Sequence, residues 1–160
     1  MGIPEAVIEL ENRSIGKGGE ATIASAYLLL REEWRSGNRD REVGLHLMFL
    51  AWYCLAEPPF LTGLNEAVVP PSELPGVFFE VHDFFAPGIS NDVEMLYVVG
   101  LMAHLFPYLL GEEETISEFA DKYRNLYRSL APNGVPAQVF DNRGAYGHYF
   151  AHQAQATDGY

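Results

Sequence analysis

The chain has 160 residues, of which 48% are hydrophobic and 20% charged, a composition that excludes a disordered or low-complexity protein. Its formal net charge of −12 disfavours binding to nucleic-acid phosphates and to anionic lipid, because both attract a basic protein surface. The single cysteine cannot form an intrachain disulfide, and the first residues lack the basic-then-apolar pattern of a secretory signal. We therefore expect a cytoplasmic protein with neither a nucleic-acid nor a membrane partner.

The beginning of the chain predicts little regular structure, whereas the residues that follow predict a helix. Residues 1–19 are expected to form an irregular lead-in that ends in the glycine-rich segment Gly16–Gly19. A helix is then expected from about residue 20, with Gly37 as its end and Asn38 as the N-cap of the next helix. The apolar residues of this first helix recur at helical spacing: Ile23, Tyr27, Leu30 and Trp34.

Two segments without a formally charged residue, Val43–Ala56 and Met95–Gly111, predict helices that are buried on all sides. Pro58 would end the first helix, and Asn91 with Glu94 would form a capping box at the start of the second. Both segments are too short, or too interrupted by polar residues, glycine and proline, to cross a membrane. They are therefore interpreted as two central helices of a soluble protein.

Two further helices are expected, and the second of them would cover the central ones. The first opens at Ser72 and stops before Pro87, and the second begins at a capping box formed by Thr115 and Glu118. The apolar residues of this second helix step by three and four positions: Ile116, Phe119, Tyr123, Leu126 and Leu130. Such a stripe is typical of a helix that packs through one face only.

These elements predict an all-α fold of five or six helices, arranged as antiparallel hairpins in an orthogonal or up-down bundle. Residues 20–155 would form a single helical domain. Its last part would include a short helix around residues 145–154, and residues 156–160 would form a frayed end.

Two predicted hairpins share a register, since each spans an equal interval from a glycine to a terminating proline: Gly37 to Pro58 and Gly111 to Pro132. This layout resembles tetratricopeptide-like helical hairpins, which implies stacked antiparallel pairs. The diagnostic Trp, Gly, Ala and Phe positions of that motif are not met. The resemblance therefore extends to helical-repeat packing and not to membership of the family.

No motif assigns a catalytic, cofactor or metal site. The segment Gly16–Gly19 lacks the phosphate-loop pattern and is interpreted as a flexible linker. His148 and His152 would share one helix face, but no third ligand is evident and no metal site is predicted. Glu42 and His46, four residues apart, predict a hydrogen bond or an ion pair. We expect no cofactor, and the missing nucleophile motifs favour a non-enzymatic role.

Two functions fit this pattern. The first is an interaction or scaffold module that forms a homo-oligomer, in the simplest case a homodimer, through apolar helix faces. Its contact surface would include the aromatic segment near the end of the chain: Tyr146, His148, Tyr149 and Phe150. The second is a small-molecule-binding protein or enzyme with an apolar pocket between helices. That pocket would be lined by Trp52, Tyr53, Phe78 and His104 and polarised by Glu57.

Overall fold

A computed structural model describes residues 2–156 and residue 160, and within them it contains nine α-helices and no β-strand. The predicted all-α class is confirmed, but the predicted number of five or six helices and their arrangement as an orthogonal or up-down bundle are not matched. Seven helices are long: α1 (Glu5–Ser14), α2 (Ile23–Arg35), α3 (Arg41–Ala56), α5 (Leu74–Phe85), α6 (Val93–Leu105), α8 (Glu113–Leu130) and α9 (Gly144–Ala156). Two are single turns: α4 (Pro59–Thr62) and α7 (Pro107–Leu110). Short 3₁₀ turns lie at Pro71–Glu73, Ala86–Asn91 and Ala137–Phe140.

Helix α3 lies at the centre of the fold, where it packs against α2, α5, α6 and α9. Every residue from Val43 to Trp52 is buried, as expected for a segment without charged residues. Gly44 lets α5 approach closely, because a side chain at this position would overlap the ring of Phe85. The prediction that this segment forms a central helix is confirmed.

Helices α6 and α8 form the second main contact of the fold. Helix α6 is buried on all sides from Met95 to Ala103, in agreement with its uncharged sequence. Helix α8 is buried on one face only, through Ile116, Ala120, Tyr123 and Tyr127. The one-faced cover predicted from the sequence is therefore present, although Leu130 at its end is 47% exposed.

The lead-in predicted over residues 1–19 contains helix α1 and is not irregular throughout. Helix α1 packs against α2 and α9, with Val7 and Glu11 fully buried. The sequence pattern missed this helix because one of its two buried residues is a carboxylate. An amphipathic pattern treats such a residue as solvent-facing.

The predicted N-caps were wrong by one to three positions. In each case a neighbouring acidic side chain accepts the backbone N–H bonds at the helix start, a role that carboxylates fill as well as amides or hydroxyls do. The observed caps are Asp40 in place of Asn38, Asp92 in place of Asn91, and Glu112 in place of Thr115.

The predicted last helix is confirmed and extends slightly further than expected, over Gly144–Ala156. Of the frayed end predicted over residues 156–160, residues 157–159 lie outside the described residues. Tyr160 is 3% exposed, and its ring lies against Tyr97 of α6 and Tyr127 of α8. A frayed end is therefore wrong for Tyr160, because its ring is held among aromatic side chains.

Candidate functional site

A cleft of about 480 Å³ opens where the end of α1, the glycine-rich segment, the start of α2, the middle of α3 and α9 meet. We call it the glycine cleft. Its volume falls within the range of small-molecule sites. It is lined by Ser14, Ile15, Gly16, Gly18, Gly19, Glu20, Ile23, Phe49, Tyr53, Leu61, Ala145, His148 and Tyr149.

Three aromatic rings form one wall of the glycine cleft. The Phe49 ring centroid lies 5.3 Å from that of Tyr53 and 5.6 Å from that of Tyr149. The two tyrosine rings are 6.2 Å apart in an edge-to-face arrangement. Such contacts fix the rings in place. Phe49 is only 1% exposed and packs behind the two half-buried tyrosine rings, which supply the surface that faces the cleft.

The two tyrosine hydroxyls give this wall a polar edge. Burial raises the pKa of Tyr53, and the negative charge of Glu57 raises it further. Burial, Tyr53 and Glu57 together raise the pKa of Tyr149 to about 12, although a hydrogen bond with Gln153 opposes the shift. Both hydroxyls are therefore protonated at neutral pH and can donate a hydrogen bond.

The glycine-rich segment is a defined turn and not the flexible linker expected from the sequence. Gly16 and Gly18 have φ values of +93° and +77°, which only glycine adopts without strain. The turn is closed by a hydrogen bond of 2.8 Å from the N–H of Glu20 to the carbonyl of Arg13. The same two residues form a side-chain ion pair at 2.6 Å. The turn thereby forms one edge of the cleft.

The five residues predicted to line a ligand pocket do not share one cavity. Tyr53 lines the glycine cleft, and the charge of Glu57 acts on the hydroxyl of Tyr53. Trp52 and Phe78 are 1% and 0% exposed and belong to the packed core. His104 is exposed on α6, with its ring 5.1 Å from that of Tyr160. Apolar residues of α3 and α5 were assigned to a pocket although their neighbours enclose them completely.

The predicted aromatic contact surface divides into two parts. Tyr146 and Phe150 are fully buried and so unavailable for contact with another molecule. His148 is exposed, Tyr149 is half-buried, and both line the glycine cleft. The division follows helical geometry, because residues four apart on α9 share the face that packs on the core.

A buried ionic network on the other side of α9 was only partly visible in the sequence. The His46 ring is fully buried, with Nδ1 2.6 Å from Glu11 Oε2 and Nε2 2.9 Å from Glu42 Oε1. The predicted pairing of Glu42 with His46 is therefore confirmed. Glu11 is equally buried and also accepts a hydrogen bond of 3.1 Å from the N–H of Tyr146.

The network continues from α3 to α9 and α6. The Arg143 guanidinium donates two hydrogen bonds of 2.9 Å to Glu42 and forms an ion pair of 2.8 Å with Glu94. The Tyr146 hydroxyl donates to the same Glu94 carboxylate at 2.5 Å. Four helices are thus joined through side chains that are far apart in sequence.

Two opposing effects set the pKa values in this network: burial disfavours the charged form of a side chain, and a nearby opposite charge favours it. Burial disfavours the charged form of His46, but its contacts with Glu11 and Glu42 outweigh burial and raise its pKa above 6.5. Burial likewise opposes ionisation of Glu42, but His46 and Arg143 lower its pKa to about 2. The position of His46 between the side chains of Glu11 and Glu42 therefore favours its protonated form.

A second cleft, of about 580 Å³, lies at the start of α6. Arg41 and Asp92 face it and bond to each other through two contacts of 2.8 Å. Glu94 also lines it and connects it to the buried network. These charged groups satisfy one another.

Within the described part of the chain, no group of three or more His, Cys, Asp or Glu side chains is arranged to hold a metal ion. His148 and His152 are both exposed on α9. No helix among the described residues has the length and apolar character needed to cross a membrane. Comparison with protein-family models, curated proteins and solved structures found no match for this chain.

Proposed function

We propose that this protein binds a small, largely apolar molecule in the glycine cleft. The observation that carries this proposal is the pair of half-buried rings of Tyr53 and Tyr149, which pack on Phe49 and line an open volume of about 480 Å³. Apolar walls with a few polar groups are the usual composition of a small-molecule site. A planar or aromatic ligand with one hydrogen-bond acceptor would complement both features.

Burial of the central helices is the reason to favour a ligand over self-association through helix faces. A homo-oligomer was expected to form through apolar helix faces, but the most apolar helices, α3 and α6, are covered by other parts of the same chain. The apolar helix faces that would have formed a contact between subunits are therefore already buried within the fold.

The neutral fluorescent probe N-phenyl-1-naphthylamine tests this proposal, because its emission rises in an apolar site. We expect saturable binding of one equivalent and a ligand-dependent rise in the melting temperature. Leu61→Trp should weaken binding at least tenfold, since Leu61 lines the cleft and a larger side chain would fill it.

Val68→Trp is the matched control, because Val68 is 55% exposed on the same connecting segment and does not line the cleft. This variant should bind the probe as the unmodified chain does. Equal weakening by both substitutions, or no saturable binding at all, would show that the glycine cleft is not the site.

Self-association stays a second candidate, supported by exposed apolar residues between α3 and α5. Phe60 is 79% exposed and Val68 is 55% exposed, so both side chains are available for a contact with a second subunit. Sedimentation velocity at high protein concentration tests this idea. We then expect dimers that Phe60→Glu dissociates, and a monomer at all concentrations contradicts it.

A further inference from the structure

The groove between α6 and α8 holds the side chain of Tyr160, and we call it the tyrosine slot. The Tyr160 ring stacks on Tyr127 with a centroid distance of 5.7 Å and an interplanar angle of 25°. His104 lies 5.1 Å away and Tyr97 6.3 Å away, measured between ring centroids. These three rings enclose Tyr160 almost completely, because it is only 3% exposed.

The tyrosine slot contacts both polar ends of the residue that it holds. The Tyr160 hydroxyl donates a hydrogen bond of 3.1 Å to the carbonyl of Ala120 in α8. Its main-chain oxygen accepts hydrogen bonds from the Tyr127 hydroxyl and the Arg128 guanidinium. The Arg124 guanidinium lies 5.9 Å from the ring centroid. The slot therefore matches a phenol at one end and a carbonyl or carboxylate at the other.

A glycine in the middle of α6 provides the space for the phenol. A side chain at Gly100 would overlap the Tyr160 hydroxyl, so residue 100 must lack one for the slot to be filled. Glycine is unfavourable inside a helix, and no turn or positive φ explains it here. Two neighbours account for the glycine: the Tyr160 side chain in the slot, and Tyr123 of α8, whose Cβ would lie 3.0 Å from a side chain at residue 100.

The tyrosine slot is also reachable from the surface. A cleft of about 220 Å³ opens beside Tyr160 and is bordered by Arg128, Asn133 and Val135. A molecule in this cleft would meet Arg128 first. The positive charge would attract an acidic group against the overall negative charge of −12.

We propose that the tyrosine slot is a binding site for a small phenolic carboxylic acid of about the size of tyrosine, and that Tyr160 occupies it in cis. Tyr160 follows the end of α9 at Ala156 by a few residues only. Its effective concentration at the slot is therefore high, and a free ligand competes with it. This site is separate from the glycine cleft, and the proposal does not depend on the function assigned there.

The test uses N-acetyl-L-tyrosine as the probe and Tyr160→Ala as the variant with a vacated slot. Isothermal titration calorimetry should detect one equivalent of probe bound to the variant. Binding to the unmodified chain should be at least about tenfold weaker, because Tyr160 competes. Absence of binding to a Tyr160→Ala variant whose near-ultraviolet circular dichroism reports a folded protein would overturn the proposal.

Two relatives of the probe identify the chemistry that the slot selects. N-acetyl-L-phenylalanine lacks the hydroxyl that bonds to Ala120 and should bind more weakly. N-acetyl-L-tyrosinamide lacks the carboxylate and should bind about tenfold more weakly, because a charge-assisted bond to Arg128 is lost. Equal binding of the acid and the amide would overturn the assignment to a free acid and favour a tyrosine within a peptide.

A matched pair of glycine substitutions locates the probe. In the Tyr160→Ala background, Gly100→Ala should abolish binding, whereas Gly76→Ala should leave it unchanged because nothing lies within 4 Å of that position. Binding that survives Gly100→Ala would place the probe elsewhere and contradict the proposal. If Tyr160→Ala does not fold, Tyr160→Phe replaces it. That side chain lacks the bond to Ala120 and should be displaced at lower probe concentrations than in the unmodified chain.

Discussion

His46 is the residue on which the buried network depends most. It is fully buried, and its two ring nitrogens are hydrogen-bonded to the side chains of Glu11 and Glu42. Removing one member of a buried ionic group leaves its partner without a counter-charge in a medium that solvates charge poorly. The network is therefore sensitive to loss of His46 far more than to loss of a surface histidine.

We predict that His46→Ala lowers the free energy of unfolding by about 3–5 kcal/mol, measured by urea denaturation. His152→Ala is the control, because His152 is exposed on α9 and should change stability by less than about 0.5 kcal/mol. Similar losses for both variants would mean that the buried histidine does not carry a special electrostatic role.

The same residues predict how stability depends on pH. The folded-state pKa of His46 is raised above 6.5, so its contribution is fully present below about pH 6.5 and is lost as pH rises through the folded-state value. The pKa of Glu42 is lowered from 4.5 to about 2, so its contribution is present above about pH 4.5 and is lost as pH falls toward 2. Urea denaturation should therefore show lower stability at about pH 9 than at about pH 6. In His46→Gln this alkaline loss should shrink, and an unchanged slope would contradict the assignment.

At the scale of a helix, the start of α6 is set by Asp92 and not by its neighbour. Asp92 accepts a hydrogen bond of 3.0 Å from the N–H of Met95, and both its oxygens bond to Arg41. We predict that Asp92→Ala lowers the free energy of unfolding by about 1–2 kcal/mol, whereas Asn91→Ala changes it little. Thermal denaturation of the two variants compares these alternatives directly. A larger loss of stability in Asn91→Ala than in Asp92→Ala would instead support the capping box of Asn91 and Glu94 that was expected from the sequence.

Helices were predicted best where the absence of charged residues alone indicated that the segment is buried. The uncharged segments were identified correctly as the buried helices α3 and α6. The second segment does not continue as one buried helix to Gly111, because α6 ends at Leu105 before Pro107, and His104 and Tyr108 are exposed. Helix starts were predicted less well, because Asn91 and Asp92 are both good caps and only tertiary contact with Arg41 distinguishes them. Helix α1 was missed because Glu11 is buried through a partner thirty-five residues away in sequence.

Individual residues of the candidate site were predicted from the sequence, but their arrangement in one cleft was not. Tyr53, His148 and Tyr149 were each identified, but for two different functions, since nothing in the sequence brings α3 and α9 together. The glycine-rich segment was assigned to a linker because positive φ angles and closure by Arg13 are properties of the folded chain. Spacing reveals contacts within one helix, such as Glu42 with His46, and not the contacts between helices that form a cleft.

At the scale of the whole molecule, Cys54 reports on opening of the core. It is 4% exposed, and burial raises its pKa from 9.0 to about 12, so little thiolate forms near neutral pH. We predict that the native protein reacts with 5,5′-dithiobis(2-nitrobenzoic acid) at least about a hundredfold more slowly than the urea-unfolded chain. Absorbance of the released thionitrobenzoate measures both rates. Equal rates would contradict the buried position of this thiol.

The central position of helix α3 determines how slowly its backbone amide hydrogens exchange with solvent. It packs against α2, α5, α6 and α9, so no single neighbour can detach and expose it. Its amide hydrogens therefore meet deuterated water only when the entire fold opens. Hydrogen–deuterium exchange followed by mass spectrometry should find that peptides from α3 keep their protium longest, with a protection energy equal to that of global unfolding. Peptides from the single-turn helix α4 should exchange earlier, through local fluctuations.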